Sequence, residues 1–329
     1  MPIDLTLRPM STSQVLDRTF SLYRKNFLLF AGIAALPPGL LMVGQFLLLL
    51  VMNPMSKGPV WGDSTADMVK IGVVALGYLS LLVFLLLGYA FSSGASVYAV
   101  SRVHLGYPTG IAETYRLILP NFGNILGIFI LVGLCVFGVM IVGAAAFVVP
   151  LILSVAGGVA GRGFGPLAGV GAAVGGLVFV AAIIVTIYLS TKLSLSVPVC
   201  VLERLGVVDS IKRSWSLTTG TVWRLILINF LAAVMAGVLG AVLSIPYFVG
   251  LGLMAYKQDP SLLLPFVMWQ YFADFLARTV AGPISTIAVA IIYYDQRVRK
   301  EAFDIQLMMQ AIGVPPPVQT FGAAAPGPG

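Results

Sequence analysis

The stretch ILGIFILVGLCVFGVMIVGAAAFVVPLILSV, residues 125–155, holds no charged side chain. An α-helix needs about 20 apolar residues to cross about 30 Å of hydrocarbon, so this stretch spans a bilayer with residues to spare. Working outward, five more stretches meet the same requirement, at 27–52, 71–100, 169–201, 225–256 and 266–294. The chain therefore reads as an all-α integral membrane protein with six transmembrane helices. Several stretches exceed one span, so tilt or a break must absorb the excess. Pro37-Pro38, Pro150, Pro198, Pro246 and Pro283 mark the expected kinks.

Composition agrees. Apolar residues make up 59% and charged residues only 9% of the chain, against roughly 25% charged in a soluble domain. The net charge of +7 raises nucleic acid as a partner, but the basic residues lie at the ends of apolar runs, where they read as topology signals and contacts to anionic headgroups. No nucleic-acid partner is expected. Fourteen Lys and Arg residues fall on the side that holds the termini, and four (Lys57, Lys70, Arg162, Lys257) on the other. The positive-inside rule then puts both ends in the cytoplasm. The first 26 residues carry four basic and two acidic residues and lead into a run too long for a secretory h-region, so no cleavable signal peptide is expected.

An internal repeat organises the spans. LDRTFSLYRKNF (16–27), IAETYRLILPNF (111–122) and IKRSWSLTTGTV (211–222) align at offsets of 95 and 100 residues. Phe20, Tyr115 and Trp215 coincide, as do Leu22, Leu117 and Leu217, and Leu105-Gly106 matches Leu205-Gly206. Each block is an amphipathic segment followed by two spans, giving three two-helix repeats, each preceded by a cytoplasmic amphipathic helix. In the first, Val15, Leu16, Thr19, Phe20 and Tyr23 share a face opposite Asp17, Arg18, Ser21 and Lys25, and Ser11 with Gln14 forms a capping box. In the third, Val207, Val208, Ile211 and Trp215 oppose Asp209, Lys212 and Arg213. Such helices lie in the membrane interface, with Arg18, Arg24, Lys25, Lys212 and Arg213 as candidate inner-leaflet contacts. The resulting domains are a cytoplasmic amphipathic helix at 1–26, a six-helix membrane domain at 27–300, a cytoplasmic amphipathic segment at 301–313 and a disordered Pro/Gly/Ala-rich tail at 314–329.

Three features carry candidate chemistry. Asp274 and Arg278, four apart in the sixth span, form a candidate ion pair. Intramembrane charges mark function by default, but an ordinary surface pair near the outer interface is the favoured reading. Ser92, Ser194 and Thr286 each lie ten residues before a polar boundary residue, about 15 Å along a helix and near mid-bilayer. They are the candidate polar midplane, with close packing through small residues as the favoured alternative. The glycine-rich stretch 157–176 lacks the GK[ST] of a phosphate loop and reads as an outer turn leading into a closely packed fourth helix. His104 is the single histidine, and Cys135 and Cys200 are far apart, so no hydrolytic triad, metal site, disulfide or cofactor is expected.

LRPMSTSQVLDRTFSLYRKNF (7–27), VLERLGVVDSIKRSWSLTTGTVWR (201–224) and YYDQRVRKEAFDIQLM (293–308) resemble the bacterial glycerophosphoryl diester phosphodiesterase membrane-domain family. The resemblance implies a multi-helix membrane module, in some members fused to a soluble phosphodiesterase barrel. No stretch offers the roughly 250 residues of such a barrel, and no His-Arg-Gly start is present. The expectation is a non-catalytic module of the bacterial cytoplasmic membrane, a scaffold or accessory component in a lipid or envelope process. Its partners would be the lipid bilayer, with anionic headgroups on the cytoplasmic side, and a soluble or membrane protein. The alternative is a small-solute or lipid-related transporter using the polar midplane. Mitochondrial carriers share three two-helix repeats, but their amphipathic helix lies within a repeat and their P-x-[DE]-x-x-[KR] signature is missing here, so the likeness is one of architecture alone.

Overall fold

The computed structural model describes residues 10–55, 64–104, 106–159, 166–259 and 262–301. Helix accounts for 92% of them and no strand occurs among them, as expected where every backbone polar group must be satisfied within its own segment. In order the helices are α1 (Thr12–Lys25), α2 (Phe27–Ala34), α3 (Leu36–Met55), α4 (Ser64–His104), α5 (Ile111–Ile118), α6 (Phe122–Val159), α7 (Pro166–Leu193), α8 (Ser196–Glu203), α9 (Val207–Thr218), α10 (Val222–Leu243), α11 (Ile245–Lys257) and α12 (Leu263–Glu301). Five helices are long and apolar enough to cross a membrane, or six when α2 and the first part of α3, bent by 44°, count as one span. The chain is a multi-pass membrane protein.

The prolines act in two ways. Pro37-Pro38, Pro198 and Pro246 sit in the first turns of α3, α8 and α11, just after a break, where no hydrogen bond within their own helix is lost. Pro150 and Pro283 sit inside α6 and α12, which continue through them. A proline leaves the carbonyl four residues back without that donor, and at Pro37 neighbouring side chains compensate. Ile33, which would have bonded to the Pro37 nitrogen, accepts from Ser92 Oγ (3.0 Å) and Tyr115 OH (2.7 Å) instead. The carbonyl that Pro283 strips is that of Thr279; Tyr23 OH donates to the next one, of Val280, at 2.6 Å.

Helix α12 is the axis. It packs against α1, α2, α3, α4, α8, α9, α10 and α11, and half of its most apolar window is buried, against 11% for α4. Ile284, Ile287, Ile291 and Ile292 join Phe30, Ile33, Ile125 and Ile128 in the main core. That core lies toward the end of the bundle where Met10 meets Asp295, called the terminal face below. Away from it the helices splay and present apolar side chains outward, as Leu50, Leu76, Leu134, Ile141 and Leu177 do. Lipid solvates those as well as protein would, so little holds the far halves together except close packing.

The α6–α7 hairpin shows that packing. Pro150 removes the N–H that the Ala146 carbonyl would accept, and this carbonyl lies against Gly175, where a Cβ would collide with it and would come within 2.9 Å of Phe147 Cα. A Cβ on Gly171 would meet Pro150 Cβ at 3.4 Å. The contact therefore uses Gly171 and Gly175 inside α7. Much of the glycine-rich turn before it lies outside the described residues.

The three amphipathic segments have a shared burial pattern. Thr19, Thr114 and Ser214, aligned by the repeat, are all at 0% exposure, and so are nearly Tyr23, Ile118 and Thr218 (9%, 2% and 0%). The capping box forms as read: Ser11 N donates to Gln14 Oε1 (2.8 Å) and Gln14 N to Ser11 Oγ (3.3 Å). The inward faces differ from expectation. In α1 Val15, Thr19, Leu22 and Tyr23 face the protein while Phe20 is half out. In α9 the buried face is Ser210, Ser214, Leu217 and Thr218, and Val208 and Trp215 point outward. The serines are buried because the α7–α8 break exposes the Lys192 carbonyl, to which Ser214 Oγ donates at 2.8 Å. The aligned Leu-Gly pairs also differ: Gly106 is left-handed (φ 81°), whereas Gly206 is not (φ −66°) and Arg204 takes the left-handed turn (φ 55°).

Candidate functional site

Two regions gather polar side chains. The first is the terminal face. The Asp295 side chain, fully buried, accepts from Met10 N (2.7 Å), Arg224 Nη1 (2.7 Å) and Arg299 Nε (3.0 Å). Both arginines also donate to the Met10 carbonyl, at 2.9 and 2.6 Å. Beside them, Glu203 accepts from Tyr293 OH (2.8 Å) and Arg213 Nε (3.2 Å). Arg213 also pairs with Glu301, which Arg297 approaches at 3.1 Å. Lys300 Nζ donates to the Ser216 and Thr219 carbonyls at 2.7 and 2.8 Å. Carboxylates so buried are tolerable only with partners this complete. The network therefore ties the N-terminal segment, α8, α9, α10 and the end of α12 into one unit.

The second region is a cavity of about 580 Å³ inside the membrane-spanning part, between the α2–α3 break, α4, α10 and α12. It exists because both flanking helices present small residues there: Ala232, Ala236 and Gly240 from α10, Ala277 and Ala281 from α12. Its polar lining includes Ser92, Ser96, Asn229, Asp274, Arg278 and Thr286. Ser285 Oγ donates to Asn229 Oδ1 at 3.0 Å, and Gln270 Nε2 donates to Asp274 Oδ1 at 3.2 Å. Arg278 lines the cavity, is exposed, and has no hydrogen bond or ion pair with any described residue. Counting about 1.5 Å per residue back from Asp295, Arg278 lies about 25 Å along α12, inside the candidate span Leu264–Glu301. An adjoining groove of about 450 Å³, lined mainly by Leu86, Ile128, Val132, Phe137 and Val289, shares Ser93, Ser285 and Thr286 with the cavity.

The expected site residues divide accordingly. Ser92 and Thr286 meet in the cavity, and Ser194 lies in the groove instead, its Oγ donating to the Thr191 carbonyl at 2.8 Å. Thr286 borders both spaces, so the three do not form a single ring. Asp274 and Arg278 share the cavity, but no ion pair joins them among the described residues, because Asp274 turns to Gln270. Arg18, Arg24, Lys25 and Lys212 are exposed at the terminal face. Arg213 is not; its side chain is 16% exposed and bound to two carboxylates. Asn229, Glu203, Arg224 and Asp295 were not singled out from sequence. Besides the near pairs Glu203–Arg213 and Asp295–Arg299, they have partners 56, 90, 71 and 285 positions away, and no local pattern encodes those.

The motif segments 201–224 and 293–301 supply both halves of the terminal-face network, which makes their residue types intelligible. Residues 171–312 match the family model for the membrane domain of glycerophosphoryl diester phosphodiesterase. The match takes in α8, α9, α10, α11 and α12, hence Glu203, Arg213, Arg224 and Asp295 as well as Asn229, Asp274 and Arg278 from the cavity. The N-terminal motif at 7–27 lies outside the matched segment. No curated protein and no solved structure matches the chain.

Proposed function

We propose that this chain is a non-catalytic module of the bacterial cytoplasmic membrane, its termini cytoplasmic, acting as a scaffold or accessory component in a lipid or envelope process. One observation carries the reading. Glu203, Asp295 and Glu301 are spent on internal partners, while Arg18, Arg24, Lys25, Arg116, Arg204 and Lys212 stay exposed on the same face. Set against the exposed Asp17, Glu113 and Asp209, the outward charge is net positive, and it is bordered by exposed Phe20, Trp215 and Trp223. A basic face with aromatic side chains at its rim suits an anionic leaflet.

The test uses Trp215 and Trp223 as reporters, with Trp61 and Trp269 replaced by phenylalanine. Reconstituted protein should be quenched more by brominated phosphatidylglycerol than by brominated phosphatidylcholine. Each surface cation contributes about 1 kcal/mol of attraction to an anionic surface, so Arg24→Glu, Lys25→Glu and Lys212→Glu together should erase the preference. An unchanged preference would sink the reading. The transporter alternative draws support from the cavity, where Ser92 and Thr286 meet beside two charged side chains.

A further inference from the structure

Arginine has five donors and no acceptor and stays charged in any protein environment. Most buried arginines are held by carboxylates, as Arg213 and Arg224 are here. Arg278 is instead exposed along the cavity and has no such partner among the described residues, although Asp274 is one helical turn away and lines the same cavity. A guanidinium inside an apolar span, facing a cavity, calls for a partner there. The space before it exceeds what one arginine and a few waters need, and it falls in the size range of ligand sites. Around it stand hydrogen-bonding groups rather than further cations: Asn229, whose amide donors have no partner among the described residues, and the hydroxyls of Ser96 and Thr286. Asp274 adds one acceptor able to take a hydroxyl or ammonium donor. The adjoining groove is apolar and meets the cavity at Ser93, Ser285 and Thr286.

We propose that this cavity binds one phospholipid, with Arg278 on the headgroup phosphate, Asp274 on the headgroup's own donors, and an acyl chain in the adjoining groove. A planar fork of donors matches phosphate oxygens. A membrane protein meets such a ligand in the surrounding bilayer without drawing it from water. The site is distinct from the basic terminal face and does not depend on it.

The experiment is native mass spectrometry of the full chain released from mild detergent, after incubation with phosphatidylglycerol. Wild-type protein should keep one lipid per chain. Arg278→Gln should lower retention about tenfold or more, as loss of a charge-assisted pair implies, with Arg278→Lys intermediate. Gly240→Leu should also abolish retention, since a Cβ there meets nothing and the side chain enters the cavity without a clash. Gly133→Phe, where a Cβ likewise meets nothing, should weaken long-chain lipid more than the dihexanoyl form. Gly138→Ala, outside both spaces and where a Cβ meets nothing, should retain the lipid in full, which separates loss of the site from loss of the fold. Retention by Arg278→Gln, or by Gly240→Leu, overturns the proposal. So does displacement of the lipid by millimolar inorganic phosphate, which would mark a soluble-anion site.

Discussion

Replacing Asp295 with alanine should destabilise the protein far more than removing either exposed end of its network. The carboxylate is fully buried and receives three donors, from Met10, Arg224 and Arg299. Breaking a buried pair from one side costs about 3–5 kcal/mol, because the other charge stays behind. Arg224, only 14% exposed, would stay behind here, although it keeps its bonds to the Met10 and Ser11 carbonyls. Arg299 is 39% exposed and adds no more than about 1 kcal/mol. The lower end, about 3 kcal/mol, is expected for Asp295→Ala, against about 1 kcal/mol or less for Arg299→Ala. Reversible unfolding in mixed micelles, followed by tryptophan fluorescence against the mole fraction of SDS, measures both. A double-mutant cycle with Arg224→Ala should give a coupling of about 2 kcal/mol, well beyond additivity. If Asp295→Ala falls within error of Arg299→Ala, or if the cycle is additive, the network does not hold the terminal face together.

Gly175→Ala should lower stability by about 2 kcal/mol or more in the same assay, because its Cβ would strike the Ala146 backbone. Gly138→Ala, where a Cβ meets nothing, should be neutral or slightly stabilising. Ser92→Ala and Tyr115→Phe should each cost about 1 kcal/mol. Their combination should cost more than the sum, since both donate to the Ile33 carbonyl that Pro37 strips of its helical partner. With Cys135 and Cys200 replaced by alanine, single cysteines at Tyr256 and Lys212 should label from opposite sides of a vesicle, the second only from the cytoplasmic side. Labelling of both from one side would refute the orientation.

The candidate site was legible only in pieces. Asp274 and Arg278 stand out because charge is rare in an apolar run, yet spacing of four suggests a pair that the structure does not make. Whether two side chains on one turn meet depends on what else each can reach, and Gln270 is the nearer partner for Asp274. Ser92 and Thr286 were chosen by depth along their helices, and depth brought them to one cavity. Depth alone could not place Ser194, because azimuth around a helix decides which neighbour a residue faces. Arg213 read as a surface cation because it shares a polar face with Asp209 and Lys212 on α9; Glu203 and Glu301, which hold it, come from α8 and α12.

By itself the sequence determined the helical membrane class, the approximate spans, the proline breaks and the α1 cap. All of these follow from hydropathy and backbone chemistry within about 20 neighbouring residues. Only the tertiary structure decided that α12 is the axis and that α9 buries its serines. Only it showed that an aspartate at 295 holds the backbone at residue 10, and that one arginine is left facing a cavity without a carboxylate. Lipid removes the hydrophobic difference between one apolar face and another, so helix arrangement rests on small residues and stranded polar groups. Those find partners across long stretches of chain, where no local pattern records them.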